Sequence, residues 1–309
     1  MRQVRPEDRY EPDELHNIND IHPARDAERS QHPFDQERAI FHSTEEAPIG
    51  VFDSGAGGLT ILADLRRELP DEHYIYFGDT ANVPYGTRSD AEITALTLKG
   101  CKFLIDSGVK LIVVACNTAS QAALNTLRAT FAVPFIGVVP AVKPAARATR
   151  KGRIGVAATN QAAKAMYLKQ LIDEFAGGIQ VFAVGCPELV TLVEQGEFDG
   201  PVVEETVRQA LQPLLAQDVD VIVLGCTHFP ALRPVIERIT NHQVQIIDSG
   251  TAIAHRTRAV LDAESHMRYG KDNATAGTLH VFCSGDAGAF SRVASSLLGY
   301  PVVAYHVNL

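Results

Sequence analysis

From Ile49 to the C-terminus, short apolar runs rich in β-branched residues alternate with longer segments whose apolar positions recur at helical spacing. Ile49–Phe52, Tyr74–Phe77, Val109–Ala115 and Val133–Val139 read as strands, as do Arg153–Ala158, Ile179–Val184, Val219–Leu224 and Val244–Ile247. Leu279–Cys283 and a run near Val302–Tyr305 follow. These strands are continuously apolar, the pattern of a parallel sheet covered on both faces by helices. Helices are expected up to Leu69, from Ser89 to about Ser107, from Cys116 to about Thr130 and from Lys164 to Phe175. Others are expected across Pro187–Glu194, from Pro201 to about Gln217, past Cys226 through Ile239, and from the DSG at 248–250 to about His266. Ser89 with Glu92 three residues on has capping-box spacing, and Gly108 supplies the stop.

The pattern repeats. VVACNTAS (113–120) and VIVLGCTHFP (221–230) are each an apolar run ending in a cysteine, with a threonine close behind. IGVF (49–52) is echoed by RIGVAA (153–158), and the distance from that strand to its cysteine is similar in the two halves, about 65 to 70 residues. A duplication of this kind relates two halves by pseudo-symmetry, and the C-terminal remainder is expected to return to the first. The expected fold class is α/β, with two pseudo-symmetric domains of mainly parallel sheet and a site in the cleft between them. The expected units are 48–140 plus 248–309, and 141–247. Residues 1–47 are charged, poor in aliphatics and aperiodic, and read as a flexible extension with one helical turn near Asp35–Ile40.

Composition narrows the function. A formal charge of −9 with no basic stripe argues against direct nucleic-acid binding. No apolar run approaches the roughly 20 residues of a membrane span, no secretory signal is read, and five cysteines do not make a disulfide framework. The expected location is the cytoplasm.

In open parallel sheets ligands bind beyond the carboxyl ends of the strands. Asp53, Ser54, Cys116, Thr159 and Cys226 all fall at such ends. A single buried cysteine usually just packs, which suffices for Cys101 and Cys283 and is the favoured reading of Cys186. Two thiols at equivalent strand ends are harder to dismiss. A thiol just before a helix is expected to ionise more readily, and Thr118 and Thr227 can present hydroxyls or N–H groups to a carboxylate. Asp53 beside one thiol, His228 beside the other and Glu194 nearby can take or give protons. Two opposed thiols suit inversion at carbon, which needs a base on one face and an acid on the other.

FDSGAGGLT (52–60), FGDT (77–80), PYG (84–86), CNTAS (116–120), CPELVTLVE (186–194) and LGCTHFP (224–230) together resemble the glutamate racemases of the cofactor-independent aspartate/glutamate racemase superfamily. The resemblance spans Pro48 to the C-terminus. It implies interconversion of L- and D-glutamate for peptidoglycan synthesis, without cofactor or metal. It implies that Cys116 acts on the α-proton of D-glutamate and Cys226 on that of L-glutamate. Asp53 and His228 match their respective assistants, and Glu194 a further acid–base carboxylate. Ser54, Tyr85, Gly86, Asn117, Thr118, Thr159 and Thr227 match substrate contacts, as do Asp53 and His228. Aspartate racemases resemble CNTAH at the first cysteine and place Thr-Glu after the second; Ser120 and His228 favour glutamate. The extension resembles in position that of members activated by UDP-N-acetylmuramoyl-L-alanine. The family's arrangements include the homodimer. The competing reading is a binding protein that closes on an amino acid without chemistry.

Overall fold

The computed structural model describes residues 45–268 and 276–309. The helical turn expected near Asp35–Ile40 and most of the polar loop at 268–277 lie outside these residues. In chain order the first half builds β1 (Ile49–Asp53), α1 (Leu59–Glu68), β2 (Tyr74–Gly78), a 3-10 turn (Tyr85–Thr87), α2 (Asp90–Asp106), β3 (Leu111–Val114), α3 (Asn117–Thr130) and β4 (Phe135–Gly137). The second builds α4 (Val142–Ala148), β5 (Arg153–Ala158), α5 (Asn160–Lys164), α6 (Met166–Phe175), β6 (Gln180–Gly185), α7 (Pro187–Glu194), α8 (Pro201–Leu215) and β7 (Val221–Leu224). A 3-10 turn (Phe229–Leu232), α9 (Arg233–Ile239) and β8 (Gln245–Ile247) complete it, and α10 (Gly250–Ala263), β9 (Leu279–Cys283), α11 (Ala287–Leu298) and β10 (Ala304–His306) follow.

The strands form two sheets, ordered β10-β9-β2-β1-β3-β4 and β6-β5-β7-β8, and every pairing is parallel. The segment β2-β1-β3-β4 matches β6-β5-β7-β8 in order, which is the sequence duplication written as topology. The registers match too. Phe52 pairs with Val114 and Ala157 with Leu224, so each cysteine stands two residues past the last residue of its strand. β9 and β10 extend the first sheet beside β2, so the tail returns there.

Period-two alternation sends the side chains of the buried central strands to both faces, and each face meets a core of helices. Val51, Tyr76, Leu111 and Val113 join a core with α1, α10 and α11, while Phe52, Phe77, Ile112 and Val114 join another with α2 and α3. In the second sheet Ile222 and Leu224 pack with α7 and α8, and Val221 and Val223 with α4, α5 and α6. The chain crosses between the sheets twice, after β4 and after β8, and the Ser249 hydroxyl ties the crossings by donating to the Val139 carbonyl at 2.6 Å.

Several local expectations need adjustment. The capping box forms, with the Glu92 N–H 3.3 Å from Ser89 Oγ and the Ser89 N–H 3.0 Å from Glu92 Oε2. The helix expected from Lys164 is two, α5 and α6, broken at Ala165, whose backbone is extended. The helix expected directly after Cys226 is a 3-10 turn followed by α9, because Pro230 and Pro234 lack the N–H groups that a continuous helix requires. The short α4 is not signalled by the apolar pattern; its seven residues include Pro144 and show only two buried positions, Val142 and Ala145.

Candidate active site

The carboxyl ends of β1, β3, β5 and β7 meet across one cleft. It is lined by Ser54 after β1, Cys116, Asn117 and Thr118 after β3, Thr159 after β5, and Cys226, Thr227 and His228 after β7. Pro84, Tyr85 and Gly86 of the first-sheet side and Val190 of α7 complete it. The cleft is narrow, with about 300 Å³ of space including its open mouth. Cys116 and Cys226 are each only 6% exposed, and both line the cleft.

Cys116 is the N-cap of α3, and its sulfur accepts the Ala119 N–H at 3.4 Å. Its other neighbour is the Ser54 hydroxyl at 3.5 Å. Burial pushes this thiol up to about 12, the Asp53 charge adds to the rise, and the Ala119 and Ser54 bonds only partly offset it. The helix start was expected to favour the thiolate; desolvation outweighs it in this closed cleft.

Cys226 is set differently. Its sulfur lies 3.6 Å from Nδ1 of His228, and Nε2 of His228 lies 2.5 Å from Oε1 of Glu194. Burial opposes charge on His228, yet its bonds to Cys226 and Glu194 raise its pKa well above the ordinary histidine value. Glu194 does not line the cleft; it acts on it through the imidazole. Its Oε1 also accepts the Ala56 N–H at 2.7 Å, joining the glycine-rich loop after β1 to α7. That loop needs its glycines for close approach: a Cβ on Gly55 would lie 2.0 Å from Glu194 Oε1, and one on Gly57 2.4 Å from His228 Nδ1.

Asp53 lies beneath the cleft, fully buried, rather than in it. One carboxylate oxygen accepts the Gly55 N–H at 2.8 Å and the other the Thr227 hydroxyl at 3.1 Å. Burial raises its pKa, against the opposing pull of His228. The side chain that meets Cys116 is therefore Ser54, with Asp53 acting through space. Thr118 and Thr159 bring their hydroxyls within 3.0 Å of each other across the cleft. Asn117 Oδ1 is buried with no partner. Tyr85 points its hydroxyl away, to Asp79 at 2.6 Å, and Asp79 also accepts from Asn82 and Ser284. Tyr85 and Gly86 are thus fixed at the rim by a buried carboxylate.

Cys101, Cys186 and Cys283 pack in the cores, with Cys186 pushed up to about 12 by burial. Pro84 and Val190 are lining residues that the sequence pattern does not single out; their only signal is membership of the PYG and CPELVTLVE motifs. Among the described residues no group of three or more His, Cys, Asp or Glu side chains is arranged to hold a metal ion.

The Asp/Glu/Hydantoin racemase family model matches residues 50–257. A glutamate racemase from Herpetosiphon aurantiacus is 41% identical over 253 residues, covering 82% of this chain and 98% of that protein. A glutamate racemase isoform from Bacillus anthracis superposes with a TM-score of 0.77 at 34% identity, over 86% of this chain and 98% of that one. The Escherichia coli glutamate racemase, solved with L-glutamate and the activator UDP-MurNAc-Ala, superposes with a TM-score of 0.72 at 36% identity, over 81% and 95%. With the duplicated sheets, the paired thiols and these likenesses together, the chain belongs to the Asp/Glu/Hydantoin racemase family and, within it, to the glutamate racemases.

Proposed function

We propose that this chain interconverts L- and D-glutamate by a two-base mechanism, with Cys116 and Cys226 on opposite faces of the α-carbon. The observation that carries the reading is the pair of equivalent, barely exposed thiols reaching one cleft from two matched strand ends. In the L-to-D direction the Cys226 thiolate takes the α-proton and the Cys116 thiol delivers its own to the other face; the reverse direction exchanges the roles. The two groups end each turnover with their protonation states swapped, so a proton must pass back before the next.

The neighbours fit these parts. A charged His228 at 3.6 Å is a partner for the thiolate form of Cys226, and Glu194 holds that charge in place. Ser54 can donate to a Cys116 thiolate. The Thr118 and Thr159 hydroxyls, with Thr227, offer donors to substrate carboxylates. Asn117 Oδ1, buried without a partner, suits the substrate ammonium. Tyr85 and Gly86 form the rim against which the substrate rests. The two units that close on it are 48–140 with 248–309, and 141–247.

The product's use is peptidoglycan synthesis in the cytoplasm; among the described residues no helix is long and apolar enough to cross a membrane. Activation by UDP-N-acetylmuramoyl-L-alanine through the extension is part of the same proposal. Incubating the protein with L-glutamate in D2O, and L-aspartate beside it, tests the reaction. D-glutamate deuterated at Cα is expected, with aspartate inert. Binding without exchange would reduce the protein to a binder. Rates measured with and without the precursor test activation, and equal rates would end that part.

A further inference from the structure

The segment that carries Cys226 and His228 has an incomplete backbone. Phe229 donates its N–H to the Cys226 carbonyl at 3.2 Å, and Ala231 donates to the His228 carbonyl at 3.2 Å. Between them the Thr227 carbonyl would take the N–H three residues on, in the manner of a 3-10 turn. That residue is Pro230, which has none. The carbonyl is served from the other sheet instead: the Thr60 hydroxyl donates to it at 2.9 Å. Thr60 stands in the first turn of α1 between Leu59 and Ile61, both buried in the first core, so the donor is rigidly held. The same hydroxyl lies 3.0 Å from the Gly57 carbonyl, the back-bond open to any helical threonine, so its one proton is placed between a local acceptor and the Thr227 carbonyl of the other half.

Thr227 is then gripped twice from the first sheet, at its carbonyl by Thr60 and at its hydroxyl by Asp53. Its two peptide planes run directly to Cys226 on one side and His228 on the other. The Cys116 side has no such need. Cys116 opens a regular fourteen-residue helix, and its own carbonyl accepts the Ser120 N–H at 2.8 Å.

We infer that Thr60 is a positioning residue for one half of the reaction: it supplies the hydrogen bond that Pro230 withholds, and so sets the approach of Cys226, but not of Cys116, to the α-carbon. This rests on the two-thiol racemase reading and adds a residue that touches neither substrate nor thiol.

The test is Thr60→Val, which keeps shape and removes the donor, beside Thr60→Ser, which keeps the donor. Thr60→Ala replaces the valine if that variant does not fold. A racemase interconverts species of equal energy, so kcat/KM is the same in both directions for any variant, and rate alone cannot assign the damage. Isotope effects can. Thr60→Val is expected to lower kcat/KM about tenfold, mostly through kcat, because a small displacement of a reacting group is costly. The kcat/KM isotope effect with 2-deuterated L-glutamate should rise, since proton removal by Cys226 becomes more limiting. The effect with 2-deuterated D-glutamate should fall, since removal by Cys116 becomes less so. Thr60→Ser should restore both rate and isotope effects. A wild-type rate in Thr60→Val, or a loss with both isotope effects unchanged, would overturn the assignment while leaving the racemase reading intact. A wild-type protein that does not racemise glutamate would end the racemase reading itself.

Discussion

The two strand ends that carry the thiols share a scaffold and differ in almost everything placed on it. Cys116 and Cys226 follow matched central strands by the same two residues, in sheets with the same order. Beyond that, Cys116 caps a long regular helix and meets a neutral hydroxyl, Ser54. Cys226 is followed by a proline-broken turn and meets an imidazole backed by a carboxylate. The first thiol meets only its own helix start and a hydroxyl, the second an imidazole tied to a carboxylate and to the loop after β1. Duplication thus fixed where the thiols stand, and divergence of the loops fixed how each is tuned, as suits a substrate whose two faces are not equivalent.

The strongest way to break this comparison is to remove either thiol. On the two-thiol proposal each face has its own acid–base group, and Cys116→Ala and Cys226→Ala are each expected to lower racemisation by about a thousandfold or more. Retained turnover in either variant, measured by chiral assay, would show that the two ends are not partners. Cys→Ser should also lose most of the rate, a hydroxyl being a weaker base than a thiolate.

Next in size is Gly57→Ala. Its methyl would sit 2.4 Å from His228 Nδ1 and 2.6 Å from Thr227 Oγ1, so the second half must retreat from the loop. A loss of about ten- to a hundredfold in kcat/KM is expected with the fold retained. An unimpaired enzyme would mean that the loop's close approach is incidental.

The charge on His228 sharpens the contrast further. Its folded pKa lies above the unfolded value. The imidazolium therefore contributes stability that is fully present below about pH 6.5 and is lost as pH rises through the folded value. Glu194→Gln removes one of the two groups that hold this charge. The His228 ring resonances, followed by NMR, should titrate at lower pH than in the unmodified protein, and the alkaline loss of stability should begin earlier. An unmoved titration would assign the charge to Cys226 alone.

The smallest effect belongs away from the thiols. Ser89→Ala breaks the capping box of α2 and should cost about 1 kcal/mol in denaturant unfolding, with kcat/KM unchanged. A fall in activity would extend the Cys116 half to the start of that helix.

Much of this is legible in the chain before folding is considered. Apolar runs at strand length, helical spacing between them and the echo of IGV and cysteine define a duplicated parallel α/β fold, because the central strands β1, β3, β5 and β7 are buried almost throughout and so are nearly continuous apolar runs. The same echo marks Cys116 and Cys226, whereas the stretch after Cys226 reads as one continuous helix through Ile239 and folds as a 3-10 turn and α9. What stays hidden depends on atoms distant in sequence. Thr60 and Thr227 are 167 residues apart and Asp53 and Thr227 174 apart, and no periodicity couples such positions. That Asp53 lies under the cleft while Ser54 faces Cys116 follows from which way a loop turns after β1. The direction of the Cys116 shift also required the closed cleft. The helix start is written in the sequence, but desolvation is a property of everything packed around the sulfur, and here desolvation prevails. The sequence by itself determined the scaffold and the pair of thiols. Only the tertiary structure decided which groups complete the turn after Cys226 and which charge each thiol meets, because hydrogen bonds and dielectric depend on distance in space.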